Sequence, residues 1–84
     1  GTESHVALSI YPNPAITACS ITSSAPNEPV HLFDMLGREV LRSRTDERGA
    51  AMLNVSHLVA GIYSIVIETA DGRTVIGKIA IQGR

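Results

Sequence analysis

Apolar and polar residues alternate in short runs along this chain, and turn residues interrupt them roughly every eight to twelve positions. The first run, residues 6–11, is halted by Pro12-Asn13-Pro14. Two missing backbone donors, and the extended bias proline imposes on its predecessor, end a strand there and turn the chain. Residues 16–23 form a weakly patterned strand of Ile, Thr, Ala, Cys and Ser, closed by the loop Ala25-Pro26-Asn27-Glu28-Pro29. Residues 31–41 admit two readings. Leu32, Phe33, Leu36, Val40 and Leu41 fall on one side of an amphipathic helix, but Gly37 in its middle costs about 1 kcal/mol relative to alanine. A hairpin of residues 29–34 and 38–44 instead uses Gly37 for the positive φ of its turn, and this is the reading adopted.

Residues 50–55 alternate cleanly, with Ala51, Leu53 and Val55 on one face and Met52 and Asn54 on the other. Ser56 is then placed to cap one tight turn, with Leu58 tucked inward and Gly61 ending it. Residues 62–69 give the longest predicted strand. Its apolar residues on both faces suggest a central, well-covered position. Asp71-Gly72 favours a two-residue type I′ turn, from which residues 74–81 return. The count is seven strands, mainly antiparallel, in an all-β sandwich or barrel.

Composition narrows the picture. Eighty-four residues allow one small domain, 1–84, in which Gly1-Thr2 is either a cloning remnant or native sequence. With 44% hydrophobic and 18% charged residues, the chain is not a disordered tail. A net charge of -1 gives no footprint for nucleic acid. No apolar run approaches the roughly 20 residues of a membrane helix, so no membrane insertion of its own is expected. The sequence as given also lacks the basic and apolar regions of a signal peptide. Aromatics are limited to Tyr11, Phe33 and Tyr63, so the core is aliphatic.

Candidate chemistry is thin. His5, His31 and His57 lie on three segments without the close spacing of a zinc site, and read as strand-surface histidines. No G-x-S-x-G elbow or D-x-D-x-D-G loop occurs. Asp34, Asp46, Glu47 and Asp71 fall at turns, where a carboxylate accepts backbone hydrogen bonds or is solvated. Arg38, Arg42 and Arg44 share strand parity and offer a positive stripe, although Glu39, Asp46 and Glu47 interleave with them. A solvated edge guarded against strand pairing is the plainer reading. Cys19, the one cysteine, excludes an internal disulfide and reads as a small buried hydrophobe. These residues assign no catalytic, metal or cofactor site, and an enzyme is not expected.

Four short motifs in order carry a resemblance. Ser9-Ile10-Tyr11-Pro12-Asn13-Pro14 is followed by Val30-His31-Leu32-Phe33-Asp34-Met35-Leu36-Gly37-Arg38. Leu53-Asn54-Val55-Ser56-His57-Leu58 leads into Ala60-Gly61-Ile62-Tyr63, and Lys78-Ile79-Ala80-Ile81-Gln82 lies near the end. Together they resemble the C-terminal sorting domain of type IX secretion, over residues 6 to 82. The resemblance implies an immunoglobulin-like antiparallel β-sandwich of about seven strands. It further implies an address label on an N-terminal cargo protein in Gram-negative bacteria of the Bacteroidetes group. Such a label is recognised in the periplasm by the type IX outer-membrane translocon and its shuttle protein. It is commonly removed by a sortase-like peptidase, and the cargo ends at the cell surface or outside the cell.

By the same resemblance Pro12, Asn13 and Pro14 match the early motif and Gly37 the turn glycine. Gly61 and Tyr63 match the glycine-x-tyrosine step, and Lys78 matches the lysine of the final strand. Most of these are expected to shape the fold, with Tyr63 burying its ring and sending its hydroxyl to a partner. Lys78, the only lysine, is the best single candidate for contact with the machinery. Alternatively, the open backbone edge of residues 74–82 adds to a partner's sheet. Gly83-Arg84 runs past the family's usual stopping point, and the cleavage region is expected upstream of or near Ser4. The competing assignment is a β-sandwich accessory or carbohydrate-binding module of an extracellular enzyme. Three aromatics make a poor platform for sugar rings.

Overall fold

Seven strands and no helix make up the computed structural model, which describes residues 8–72 and 74–82. They are β1 (Leu8–Tyr11), β2 (Ala18–Ser23), β3 (Pro29–Phe33), β4 (Glu39–Arg44), β5 (Ala50–Asn54), β6 (Gly61–Glu68) and β7 (Thr74–Ile81). Two antiparallel sheets form, one ordered β1-β2-β5 and the other β4-β3-β6-β7. Each strand sends alternate side chains inward, as a two-residue period requires. Cys19 and Ile21 of β2 and Leu53 of β5 meet Val30, Leu32, Tyr63, Ile65, Ile67, Val75, Ile79 and Ile81 from the facing sheet. Burying each large aliphatic side chain contributes about 1.5–3 kcal/mol, so the small core leaves little excess stability.

In the inward series of β7, Gly77 stands among Val75, Ile79 and Ile81, and the space it leaves is filled from β1. A Cβ there would lie 2.5 Å from Leu8 Cδ2 and 3.1 Å from Ile10 Cδ1. The absent side chain therefore sets how closely β1 approaches β7.

The ambiguous segment is a hairpin. Gly37, at φ 82°, allows the turn between β3 and β4. Asp34 holds that turn: its Oδ1 accepts from the amides of Leu36 and Arg38, and the Gly37 amide donates to the Asp34 carbonyl. Between β4 and β5 the same device recurs. Asp46 Oδ1 accepts from the amides of Arg48 and Ala50, the Gly49 amide donates to the Asp46 carbonyl, and Gly49 has φ 83°. Two Asp-x-x-Gly turns of one design thus close successive connections.

Several expectations need correction. β6 is central, between β3 and β7, but only one of its faces is covered; Ile62 on the other is 45% exposed. It is also no longer than β7, each having eight residues. The type I′ turn at Asp71-Gly72 does not form. The last β6–β7 pair is Glu68 with Thr74, and Asp71 does not take the positive φ that turn type demands. A wider loop forms, with the Gly72 amide donating to the Thr69 carbonyl. The cap after β5 comes from Asn54, whose Oδ1 accepts from the Ser56 amide and hydroxyl. Gly61 does not end that turn but opens β6. β2 begins at Ala18, with Ile16 exposed ahead of it. Val6 and His5 lie outside the described residues.

Candidate functional site

Antiparallel register decides which residues meet. Phe33 pairs with Ser64, Ser64 with Lys78, and Gly61 with Ile81. The turn after β3, the start of β6 and the close of β7 therefore lie at one end of the sandwich. Pro12-Asn13-Pro14 joins them there by following β1. The opposite end holds Leu8, the loop before β3, the Asp46 turn and the loop after Glu68. Asn27 donates its amide to the Asp46 carbonyl and Ala70 donates to Glu28 Oε2, tying those loops together. Segments far apart in sequence, including every expected site residue, thus gather at or toward a single end.

Pro12-Asn13-Pro14 makes a corner that crosses from one sheet edge to the other. The Tyr11-Pro12 and Asn13-Pro14 bonds are both cis, and all three residues are exposed. Asn13 then treats β7 as a neighbouring strand would. Its Nδ2 donates to the Lys78 carbonyl at 3.2 Å, and its Oδ1 accepts from the Ala80 amide at 3.0 Å. Ala15 continues the contact, donating to the Ala80 carbonyl and accepting from the Gln82 amide. The edge expected to be open over residues 74–82 is therefore occupied along its C-terminal half. Alternation of backbone direction leaves Ile76 as the outward-pointing residue just beyond the reach of Asn13.

Tyr63 is buried and donates its hydroxyl to the Val59 carbonyl at 2.6 Å, anchoring the β5–β6 connection. This is the tyrosine-corner arrangement of immunoglobulin-like sandwiches. Gly37 is exposed at the tip of its turn. Lys78 projects from the outer face of β7, and among the described residues no carboxylate lies within ion-pairing distance of it.

The arginines behave differently. Arg38 Nε meets Asp34 Oδ2 at 2.9 Å, Arg42 Nε meets Glu39 Oε2 at 2.8 Å, and Arg44 Nη1 donates to the Asn27 carbonyl. The expected stripe also breaks geometrically. Leu32 pairs with Leu41 but Phe33 with Glu39, so a bulge at Val40 intervenes and Arg38 precedes the strand.

His31 sits beside Glu39 at 3.0 Å and stacks on Phe33, while His57 is exposed in the turn after β5. Among the described residues no three ligating side chains come together for a metal. Three carboxylates are held below their ordinary range. The amide of Arg38 does this to Asp34, the guanidinium of Arg42 to Glu39, and the amide of Ala50 to Asp46. Burial raises the pKa of the Cys19 thiol, which faces the core.

The outer face of the larger sheet carries an apolar surface. Ile62, Val66, Ile76 and Phe33 line an open groove of about 470 Å³ with Lys78 at its side. A second hollow of about 200 Å³ adds Leu36 and Val59 and shares Asp34, Met35 and Ile62 with the first.

Residues 9–82 match the family of secretion system C-terminal sorting domains. The chain belongs to that family. The sorting domain is 25% identical over 76 residues to the ulvan lyase NLR42 of Nonlabens ulvanivorans. That match covers 89% of the domain but only 14% of the lyase. In three dimensions it resembles PorZ of Porphyromonas gingivalis, described as an essential bacterial surface component of the type-IX secretion system. The TM-score is 0.77 at 15% identity, over 88% of the sorting domain and 11% of PorZ. A DUF3244 family protein from Bacteroides vulgatus, with an immunoglobulin-like β-sandwich fold, gives a TM-score of 0.64 at 12% identity. The coverage is 90% of the sorting domain and 92% of that protein. These two likenesses establish the fold, which is the immunoglobulin-like sandwich anticipated from the motifs.

Residues that sequence reasoning passed over are Gly49, Gly77, Thr45 and Ser23. The repeated Asp-x-x-Gly spacing was a readable signal for the first. Buried Thr45 accepts from the Glu28 amide and donates to the Ala25 carbonyl, and buried Ser23 donates to the Gly49 carbonyl. Neither has a sequence signal of its own.

Proposed function

We propose that residues 1–84 act as one domain, a C-terminal address that directs a cargo protein through the type IX machinery. The family match over residues 9–82 carries this reading. The convergence of the motif segments on one end of the sandwich supports it, because a reader of the signal then has one place to bind. The cargo joins on the N-terminal side, near Leu8 and the opposite end. An eight-residue strand spans about 26 Å, which separates the two ends. In this reading the outer-membrane translocon and shuttle protein engage the folded domain in the periplasm. A sortase-like peptidase cleaves upstream of or near Ser4, and the cargo reaches the cell surface or the medium. Pro12, Asn13, Pro14, Gly37, Gly61 and Tyr63 shape the recognised end, and Lys78 makes contact. No catalytic role is assigned.

The test is export of a fluorescent reporter with an N-terminal Sec signal and this chain at its C-terminus. It is expressed in a type IX-competent bacterium and in a secretion-deficient strain. Reporter outside the competent strain alone is the expected outcome. Equal periplasmic retention in both strains, with the domain folded, overturns the reading and favours an accessory module. Point variants are preferable to truncation at Lys78, which would remove buried Ile79 and Ile81 and so unfold the sandwich.

A further inference from the structure

Both faces of the sandwich look outward, yet they differ. On the smaller sheet the large exposed side chains are Tyr11 and Met52, set on either side of Ser20, with Thr22 and Asn54 beside them. On the larger sheet the exposed apolar residues are more numerous and gather about one groove: Met35, Ile62 and Ile76 line it, Leu36 lies beside it at the motif-bearing end, and Ser64 and Lys78 stand between Ile62 and Ile76. Met35 and Leu36 are each 79% exposed and Ile76 64%. A grooved cluster of exposed apolar side chains with polar neighbours marks a protein-binding surface more often than singly scattered ones do.

The surface also has a sign. Arg38 and Arg42 along the opposite margin are neutralised by Asp34 and Glu39, whereas Lys78 beside Ile76 meets no carboxylate among the described residues. Cross-strand pairing places Lys78 next to Ser64 and Ile76 next to Val66, so a cation and an apolar floor share one site. Charge complementarity therefore calls for a carboxylate above Lys78, flanked by apolar side chains over Ile76 and Ile62. Nucleic acid would meet too little positive charge here, and a lipid surface would need a larger apolar plane.

We infer that the outer face of β3, β6 and β7 is the surface by which this domain is read, and that it takes a protein partner presenting apolar side chains and one acidic group to Lys78. The inference rests on the address reading and adds to it where the partner sits and what chemistry it offers.

The test uses the same exported reporter with four single variants, each checked for an unchanged melting temperature. Ile76→Ser and Lys78→Glu are expected to lower export roughly tenfold, the effect of losing a central interface contact. Met52→Ser, equally exposed at 64% on the opposite face, is expected to leave export unchanged. Lys78→Arg, which keeps the charge, is expected to retain export. Wild-type export with Ile76→Ser and Lys78→Glu unimpaired overturns the docking face while leaving the address intact. Loss in Met52→Ser equal to that in Ile76→Ser also overturns it, and loss in Lys78→Arg overturns the ion pair. Failure of the wild-type domain to export overturns the address reading itself, and the inference with it.

Discussion

Single residues in this domain act mostly through the backbone they permit. Gly37 and Gly49 occupy the same position of two Asp-x-x-Gly turns at nearly the same φ, yet their surroundings differ. A Cβ on Gly37 would meet nothing within 4 Å, whereas one on Gly49 would stand 2.0 Å from the Ser23 carbonyl oxygen. Gly37→Ala should therefore cost only the left-handed conformation, about 1–2 kcal/mol. Gly49→Ala adds a backbone collision and displaces the Ser23–Gly49 ladder, for about 3 kcal/mol or more. Thermal melts of the two variants check this, since each kcal/mol moves Tm by about 4–8 °C in a domain of this size. The order is instructive because both glycines sit in the same readable Asp-x-x-Gly spacing and only their distant neighbours differ. A turn glycine can be read from its neighbours in sequence; a close approach by a distant carbonyl cannot.

Among the elements, β7 departs furthest from what its sequence suggests. Its eight residues and buried alternate positions follow from the pattern of Val75, Ile79 and Ile81. Its edge, however, is half sealed by a side chain from a segment about 65 residues away. Asn13→Ala removes both carboxamide bonds to β7 and should cost about 1 kcal/mol, the usual net worth of such bonds at an exposed site. Hydrogen exchange reads it directly. The Ala80 amide should exchange faster in the variant, while amides of β6 keep their protection. Unchanged exchange at Ala80 would show that the corner does not seal the edge. The hairpin of β3 and β4 was legible because Gly37 spoils a helix and suits a turn. The bulge at Val40 was not, because it depends on how β3 is held between β4 and β6.

For the molecule as a whole, charge is arranged locally and pH dependence follows from it. Asp34, Glu39 and Asp46 each have a folded pKa below the ordinary 3.8, 4.5 and 3.8. Groups of this sign add stability that is complete above those ordinary values and is lost as pH falls through them toward the depressed folded ones. Tm should stay level from neutrality down to about pH 5 and fall below it. Asp34→Asn should melt below wild type at pH 7, with the gap closing as the pH drops under 3.8. A gap that persists at low pH would mean the carboxylate's charge is not what holds the turn.

By itself the sequence determined the strand count, the hairpin at Gly37, the inward faces and the membership of a sorting family. All of these depend on neighbours in the chain, through two-residue alternation, turn chemistry and motif order. The tertiary structure alone decided that four separated motifs share one end, that Asn13 closes half of the β7 edge, and that Gly77 admits Leu8 and Ile10. It also decided that one face of β6 is left uncovered, so that apolar residues suited to a core became a surface beside Lys78. The reason is physical: cross-strand register and sheet packing set which distant residues meet, and no local pattern encodes the distance between them.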